Sequence, residues 1–272
     1  MKDQKIGVAG VGMVGGAFKQ YFEEKGITPF LYDPGKKLGS LDELNRADII
    51  FLCVPTPSTE GGCDTSYVEG VCAELKEGKI VVIKSTVIPG TTERMQKQFP
   101  HLIFLFSPEF LVEAQAYETL VHADRQIIGV TEQSKGVAKD VLALLPEAPF
   151  TKVMSATEAE MVKYFGNTFL SLKVIFASQM HDLCERLGID YAKVAEAAGA
   201  DPRINPSHLD VWHGGYKGFG GKCFPKDTRA LLALAEKEGV DLSVLKEAEV
   251  ENLRLMKKQG IDDPESVSRT EF

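Results

Sequence analysis

The chemistry of this 272-residue sequence can be organised around Cys223. It lies in Gly218-Phe219-Gly220-Gly221-Lys222-Cys223-Phe224-Pro225-Lys226-Asp227. Three glycines in four positions let backbone come close to a ligand. Pro225 suits the first position of a helix, where its missing N–H would be unpaired anyway. Good helix formers continue from Asp227 until Gly239. This spacing sets Cys223 just before a helix N-terminus, between Lys222 and Lys226. Helix dipole and positive charge both favour thiolate over thiol there, and a thiolate so placed is a covalent nucleophile. The alternative is a buried, structural cysteine.

Composition bounds the rest. The length allows two domains with a sizeable core. Apolar residues make up 44 % and charged residues 26 %, as in ordinary globular proteins. A net charge of -8 argues against nucleic acid or an anionic membrane as partner. Five cysteines without a CxxC pair argue against a disulfide framework or a structural zinc, and fit a reducing, cytoplasmic setting. The apolar run from Ile6 to Phe18 is glycine-rich and too short to span a bilayer. His181 with Cys184, and His208 with His213, make no convincing metal set and read as surface residues.

The elements that must position the chemistry begin with Lys5–Gly10, an apolar strand. Gly10-Val11-Gly12-Met13-Val14-Gly15 is G-x-G-x-x-G, and Ala17–Lys25 reads as helix. Thr28–Tyr32 is a second strand, and Asp33 stands 23 positions after Gly10. In that context the motif predicts a dinucleotide site, with pyrophosphate at the helix start. Asp33 can accept from ribose hydroxyls and repel a 2′-phosphate, which favours NAD over NADP; its bland alternative is a turn former in Asp-Pro-Gly. Further apolar strands are expected at Asp48–Val54, Lys79–Lys84, Leu102–Phe106, Arg125–Val130 and Thr151–Met154, alternating with helices such as Tyr67–Lys76 and Thr91–Gln98. The pattern predicts an α/β fold with a Rossmann-type, doubly wound parallel sheet. Ligands bind beyond the carboxyl ends of such strands. The turns there put Val54, Pro55, Thr56, Ser85, Thr86, Glu109 and Glu113 on the candidate site, although Ser85 by itself reads as a turn builder. Glu109 and Glu113 are spaced to share one helical face.

Ser155-Ala-Thr-Glu158 is a capping box that opens a long helix to Leu187, stopped at Gly188. At roughly 32 residues it is about 48 Å long. Its apolar residues cover more than one stripe, so a second subunit is expected against it. Lys163 and Asn167, at i and i+4, could do proton work, or could be a solvated lysine and a capping asparagine. Helices are expected over Asp190–Ala198 and Ser243–Lys258, with a long polar loop from Ala200 to Lys222. The predicted layout is a dinucleotide-binding domain at 1–155, an all-α domain at 156–259 and a disordered polar tail at 260–272.

Together these residues resemble the UDP-glucose/GDP-mannose dehydrogenase family. The matching stretches are Gly10–Gly15, Val54–Pro57, Ser85–Gly90, Pro108–Glu113, Lys163-x-x-x-Asn167, Arg203 in Asp-Pro-Arg-Ile, and Gly218–Asp227. The resemblance implies a four-electron oxidation of a sugar's primary alcohol to a carboxylate, with two NAD reduced and a nucleotide sugar, foremost a UDP-sugar, as substrate. It implies Cys223 as nucleophile through a thiohemiacetal and a thioester. Glu109 would be the acid/base of hydrolysis, and Lys163 and Asp227 would handle the first proton and the oxyanion. Asn167 would donate to that oxyanion, and Thr86 would orient water. Glu113 and Lys226 would lie on the cofactor side. Phe110, Leu111, Phe219, Gly220 and Gly221 would meet the substrate, and Arg203 would reach a neighbouring subunit's site in a homodimer. Two departures stand out. Gly214–Lys217 replaces the family's usual Pro-Ser or Pro-Gly, and the family's third, C-terminal domain has no counterpart here, so a separate domain or partner is expected to supply it. Two other readings remain. A β-hydroxyacid-type dehydrogenase would transfer one hydride and need no cysteine. A non-catalytic NAD-binding homologue would transfer none.

Overall fold

The computed structural model describes residues 4–59, 62–212 and 214–267. The chain forms two compact units. One comprises the chain up to Pro57 together with Cys63–Lys163, and the other comprises Ser58–Gly62 and the chain from Tyr164 on. The division falls inside the long helix, after Lys163, whereas the sequence suggested 155.

The first unit is built on seven strands: β1 (Ile6–Ala9), β2 (Phe30–Tyr32), β3 (Ile49–Leu52), β4 (Ile80–Ile83), β5 (Ile103–Phe106), β6 (Arg125–Val130) and β7 (Phe150–Ser155). Their order is β2-β1-β3-β4-β5-β6-β7. β1 to β5 pair in parallel. β6 then runs antiparallel to β5, with Leu105 opposite Val130, and β7 follows β6 in parallel. The doubly wound parallel sheet expected from the sequence is thus present over β1 to β5, with β6 and β7 added as a reversed pair at one edge. A strand covered on both faces is apolar throughout in either sense, so its pattern does not reveal its direction.

Successive residues feed two cores, as the two-residue period of a strand requires. Ile50, Leu52, Val81, Ile83, Phe104 and Phe106 pack on one face. Ile49, Phe51, Val82 and Leu105 pack on the other, against Phe18 and Phe22 of the helix Met13–Glu24. The reversal of β6 and β7 sets where the long helix Ala156–Leu187 begins. It leaves β7 through the expected capping box, in which Glu158 Oε2 accepts from Ser155 N at 2.8 Å and Ser155 Oγ accepts from Glu158 N at 3.3 Å. Its first turn presses on Gly129 of β6, where a Cβ would lie 2.7 Å from that of Ala159. Two turns on, Lys163 reaches the loop that follows β5.

The second unit continues the long helix and adds helices Tyr191–Gly199, Phe224–Lys237 and Ser243–Lys258. Asp190 caps the first of these through Ala192 N at 3.0 Å. Val174, Ile175, Phe219, Ala248 and Leu255 form the core. Gly188 and Gly239 follow their helices at φ 69° and 71°; both are left-handed stops that glycine adopts without strain. The tail read as disordered is ordered as far as it is described: Pro264–Ser266 form a 3₁₀ turn with Pro264 buried. Residues 268–272 lie outside the described residues.

Candidate active site

In the first unit the glycine turn joins β1 to the helix Met13–Glu24, at the switch point where β1 has β2 on one side and β3 on the other. Gly10 stands at φ 81°, and a Cβ there would lie 2.6 Å from Cys53 O. A Cβ on Gly15 would lie 1.8 Å from Gly10 O, whereas one on Gly12 would meet nothing within 4 Å. No side chain caps the helix at Gly12, and no acid lies in its first turn. An uncapped N-terminus beside an open glycine is a ready anion site. Asp33 ends β2 beside it: Oδ2 accepts from Val11 N at 2.7 Å and Oδ1 from Lys36 N at 3.0 Å. Asp33 is thus both the turn former and a carboxylate at the expected ribose position. The residues fit a dinucleotide.

The neighbouring turns are braced by hydrogen bonds. Thr56 Oγ1 donates to Thr86 O at 2.7 Å, and Ser85 Oγ donates to Val54 O at 2.7 Å. Ser85 accordingly builds the turn. Pro55 is exposed, as are Met13 and Glu113, while Val11 is buried and Val14 and Val54 are half-buried. Glu109 and Glu113 do not share a helical face. Residues 107–112 are irregular and only Glu113 begins a 3₁₀ turn, because Glu109 Oε2 turns back to accept from Leu111 N at 2.8 Å. That local bond competes with helix formation.

Glu109 is buried, and Lys163 Nζ donates to its Oε1 at 2.7 Å and to its carbonyl at 2.9 Å. Burial pushes the carboxyl up, but the Lys163 charge and these hydrogen bonds outweigh it, leaving Glu109 below its ordinary value. It is held as a carboxylate, the form a general base needs. Phe110 packs under the Arg125 guanidinium at 3.9 Å from its ring centroid, with Leu111 following.

In the second unit Asp227 is buried at the start of the helix Phe224–Lys237. Its Oδ2 accepts from Asn167 Nδ2 at 2.5 Å and its Oδ1 from Lys226 Nζ at 2.6 Å. Lys226, expected on the cofactor side, thus has its ammonium on Asp227. Cys223 is exposed at the N-cap, with Pro225 in the first turn and no side-chain cap. Cys72 and Cys184 are buried. Phe219, expected to meet the substrate, does not offer itself. Its ring lies in the core, and Asn252 takes both its N–H and its carbonyl. Gly220 and Gly221 beside it are buried too. Arg203 is exposed and pairs with Asp201, Nη2 lying 2.6 Å from Oδ2.

Two models of known families match this chain. Residues 36–144 match the NAD binding domain of the UDP-glucose/GDP-mannose dehydrogenase family, and residues 157–254 match its central domain. A UDP-glucose dehydrogenase structure from Pyrobaculum islandicum aligns with TM-score 0.78 at 30% identity, covering 94% of this chain and 71% of that one. The chain belongs to the UDP-glucose/GDP-mannose dehydrogenase family. Curated relatives include UDP-glucose 6-dehydrogenases of Pseudomonas aeruginosa, 37% identical over 78% of this chain, and Rickettsia conorii, 36% identical over 75%. Each match covers 49% of the relative, so the chain spans about half the length of these proteins. The first unit carries the family's NAD-binding domain.

Some polar residues around these family motifs were not picked out by sequence reasoning. Lys84 is buried at the end of β4, donating to Ser107 Oγ at 3.0 Å in the loop that carries Glu109. Burial draws it down to about 8, against the opposing pull of Cys53 and Glu109. A lysine closing the run Ile-Val-Val-Ile was the available signal. Glu160 is buried on the long helix, one turn before Lys163. It accepts from Gly90 N at 2.6 Å and Thr92 N at 2.7 Å, capping the helix Thr91–Gln98 from outside. The histidines need correcting as well. Cys184 is buried and His181 is packed against Tyr191 and Trp212, so neither is a surface residue. His181, Asp182 and Glu185 could hold an ion, but the Lys217 ammonium occupies that place, 3.0 Å from His181 Nδ1. His208 is half-buried and packs on Phe224, and His213 lies outside the described residues. Among the described residues no helix is long and apolar enough to cross a membrane.

Proposed function

We propose that the chain carries the chemistry of an NAD-dependent nucleotide-sugar dehydrogenase in the cytoplasm, with UDP-glucose the first substrate to try. The observation that carries this is Cys223, exposed at an uncapped helix start in a chain whose other unit is an NAD-binding domain. A dehydrogenase that transferred a single hydride would have no use for it.

Bound NAD supplies a two-electron acceptor, and two are reduced per sugar. The primary alcohol loses a proton and a hydride to become an aldehyde, with Lys163 and Asp227 handling the proton. Cys223 Sγ adds to the aldehyde carbon, and Lys163 and Asn167 steady the resulting oxyanion. Loss of a second hydride turns this thiohemiacetal into a thioester. Water, oriented by Thr86 and deprotonated by Glu109, attacks the acyl carbon; the C–S bond breaks, and a carboxylate and the thiolate result. Val54, Pro55, Thr56 and Glu113 border the cofactor in this reading, and Phe110, Leu111, Gly220 and Gly221 the substrate.

Counting NADH per sugar tests the reading: two are expected, and one or none overturns it. Cys223→Ala should abolish acid formation and leave NAD binding intact. We further propose a homodimer, because Phe165, Phe169 and Phe176 of the long helix are 70%, 57% and 63% exposed. Apolar area of that kind marks an interaction site, and Arg203 would serve the partner's substrate. A monomer by light scattering at micromolar concentration would refute the dimer.

A further inference from the structure

The loop that leads to Cys223 is held by neither strand nor helix. Its alternate residues are fastened to the chain that comes after the Cys223 helix. Lys217 N donates to Gln259 Oε1 at 2.9 Å, and Gln259 Nε2 donates back to Lys217 O at 2.9 Å. Phe219 N donates to Asn252 Oδ1 at 2.7 Å, and Asn252 Nδ2 donates back to Phe219 O at 2.9 Å. Gly221 N donates to Pro264 O at 2.9 Å. Residues 217, 219 and 221 are thus paired along one edge, as a strand's would be, with two side-chain amides standing in for backbone.

The fit between these partners is close. Gly218 is at φ 103°, and a Cβ there would lie 2.6 Å from Asn252 Oδ1. A Cβ on Gly220 would lie 2.4 Å from Val267 Cγ2 and 2.9 Å from Pro264 O. The clasping segment is itself tied to the Cys223 helix: Arg229 Nε donates to Glu249 Oε1 at 2.8 Å and Nη1 to Glu265 Oε1 at 2.9 Å. The Lys217 ammonium anchors the loop's entry to the long helix through Asp182 and His181.

We propose that Asn252 and Gln259, with the Pro264 carbonyl, are positioning residues that fix the approach of Cys223 to its substrate. The proposal rests on the reading of Cys223 as the nucleophile. Each amide satisfies both the donor and the acceptor of one loop residue, so exchanging it for a group with one polarity leaves a partner facing a like charge. A misplacement of the reacting sulfur of about 1 Å costs on the order of 100-fold in rate.

The test compares the wild-type chain with Asn252→Asp, Gln259→Ala and Gln259→Glu. Acid formation from UDP-glucose, NAD affinity, and the rate of Cys223 alkylation by iodoacetamide across pH are measured on each. The expected result is a fall in kcat of about 100-fold for Asn252→Asp and about tenfold for each Gln259 variant. The pH profile of alkylation should move with it, and NAD affinity should stay within about twofold of wild type. Gln259 is exposed, so its variants decide the matter if Asn252→Asp does not fold. Wild-type kcat and an unmoved alkylation profile in folded variants would overturn the proposal. Cys223→Ala run alongside separates the two readings. Full acid formation by that variant sinks the nucleophile, whereas an unmoved profile in the Gln259 variants sinks the clasp alone.

Discussion

The two glycine-rich turns of this chain are held in opposite ways. The turn from Gly10 to Gly15 is closed by its own backbone and by the end of β3: the walls that a side chain would strike are Gly10 O and Cys53 O. The loop from Gly218 to Gly221 has walls drawn mostly from the far end of the sequence, Asn252, Pro264 and Val267, with the local Tyr216 hydroxyl beside them. The first is a steric solution, complete once the strands pair. The second is a hydrogen-bonding solution that exists only when the last helix and the segment after it have docked. Glycine alone says that backbone must bend or approach; what it approaches decides how the turn fails.

The largest expected effect comes from putting a methyl group into each turn. Gly15→Ala would force a Cβ to within 1.8 Å of a carbonyl oxygen, which only a shift of backbone relieves. A loss of about 3 kcal/mol is expected, with NAD binding lost as well; urea denaturation and a cofactor titration measure both. Gly220→Ala meets the tip of the Val267 side chain at 2.4 Å and the Tyr216 hydroxyl at 2.7 Å, both of which can turn away, and the Pro264 carbonyl oxygen only at 2.9 Å, a shorter backbone shift than Gly15→Ala demands. Its cost should be nearer 1 kcal/mol, with NAD binding kept and acid formation lost. Equal damage to stability from the two would break the comparison.

Glu160 sharpens it, because within the first unit too a side chain distant in sequence accepts hydrogen bonds, from Gly90 and Thr92. Burial pushes this carboxyl up to about 7, although hydrogen bonds from Thr92 and Gly90 oppose the rise. The folded state therefore holds the proton more tightly than the unfolded chain does. The stabilisation is full at pH below the ordinary value of 4.5 and is lost as pH climbs to about 7. Glu160→Gln should flatten that slope in denaturation midpoints measured across this window. A slope unchanged by the variant would mean that the cap does not titrate there.

The smallest effect is expected at Asp33, which links β2 to the first turn through Val11 N. Asp33→Ala should weaken NAD binding and narrow its preference over NADP by about tenfold, or roughly 1.4 kcal/mol. Parallel titrations of the two cofactors measure the ratio, and an unchanged ratio would remove Asp33 from cofactor choice.

Much of the first turn was legible in sequence because its determinants are adjacent: strand, glycines, helix and acid lie between Ile6 and Asp33. The helices Thr91–Gln98 and Ser243–Lys258 were read to their end residues from apolar spacing, and the capping box at Ser155 and Glu158 was visible as a local pattern. What was hidden has a common cause. Asn252 looks like a solvated amide on an amphipathic helix, and Gln259 like one just past its end, until the loop they clasp is known. Pro264 and Glu265 look like tail. The direction of β6 depends on its neighbours and not on its residues. The helix read across Glu109 and Glu113 failed because a carboxylate can bond to the amide two residues on, an alternative that spacing alone does not weigh. Among the candidate site residues, the Lys163–Glu109 and Asn167–Asp227 contacts join positions 54 and 60 apart, and no window of sequence spans them.

Gly12 has a consequence for how substitutions in this chain would sort. Its φ of -79° is negative, although its ψ of -149° lies off the common regions, and a side chain there would enter empty space. A library selected only for folded protein should therefore fill position 12 far more readily than positions 10 and 15, where nearly everything is excluded. Selected instead for cofactor capture, the same library should lose its variety at position 12. Where the two selections disagree, a ligand dictates the residue; where they agree, the fold does.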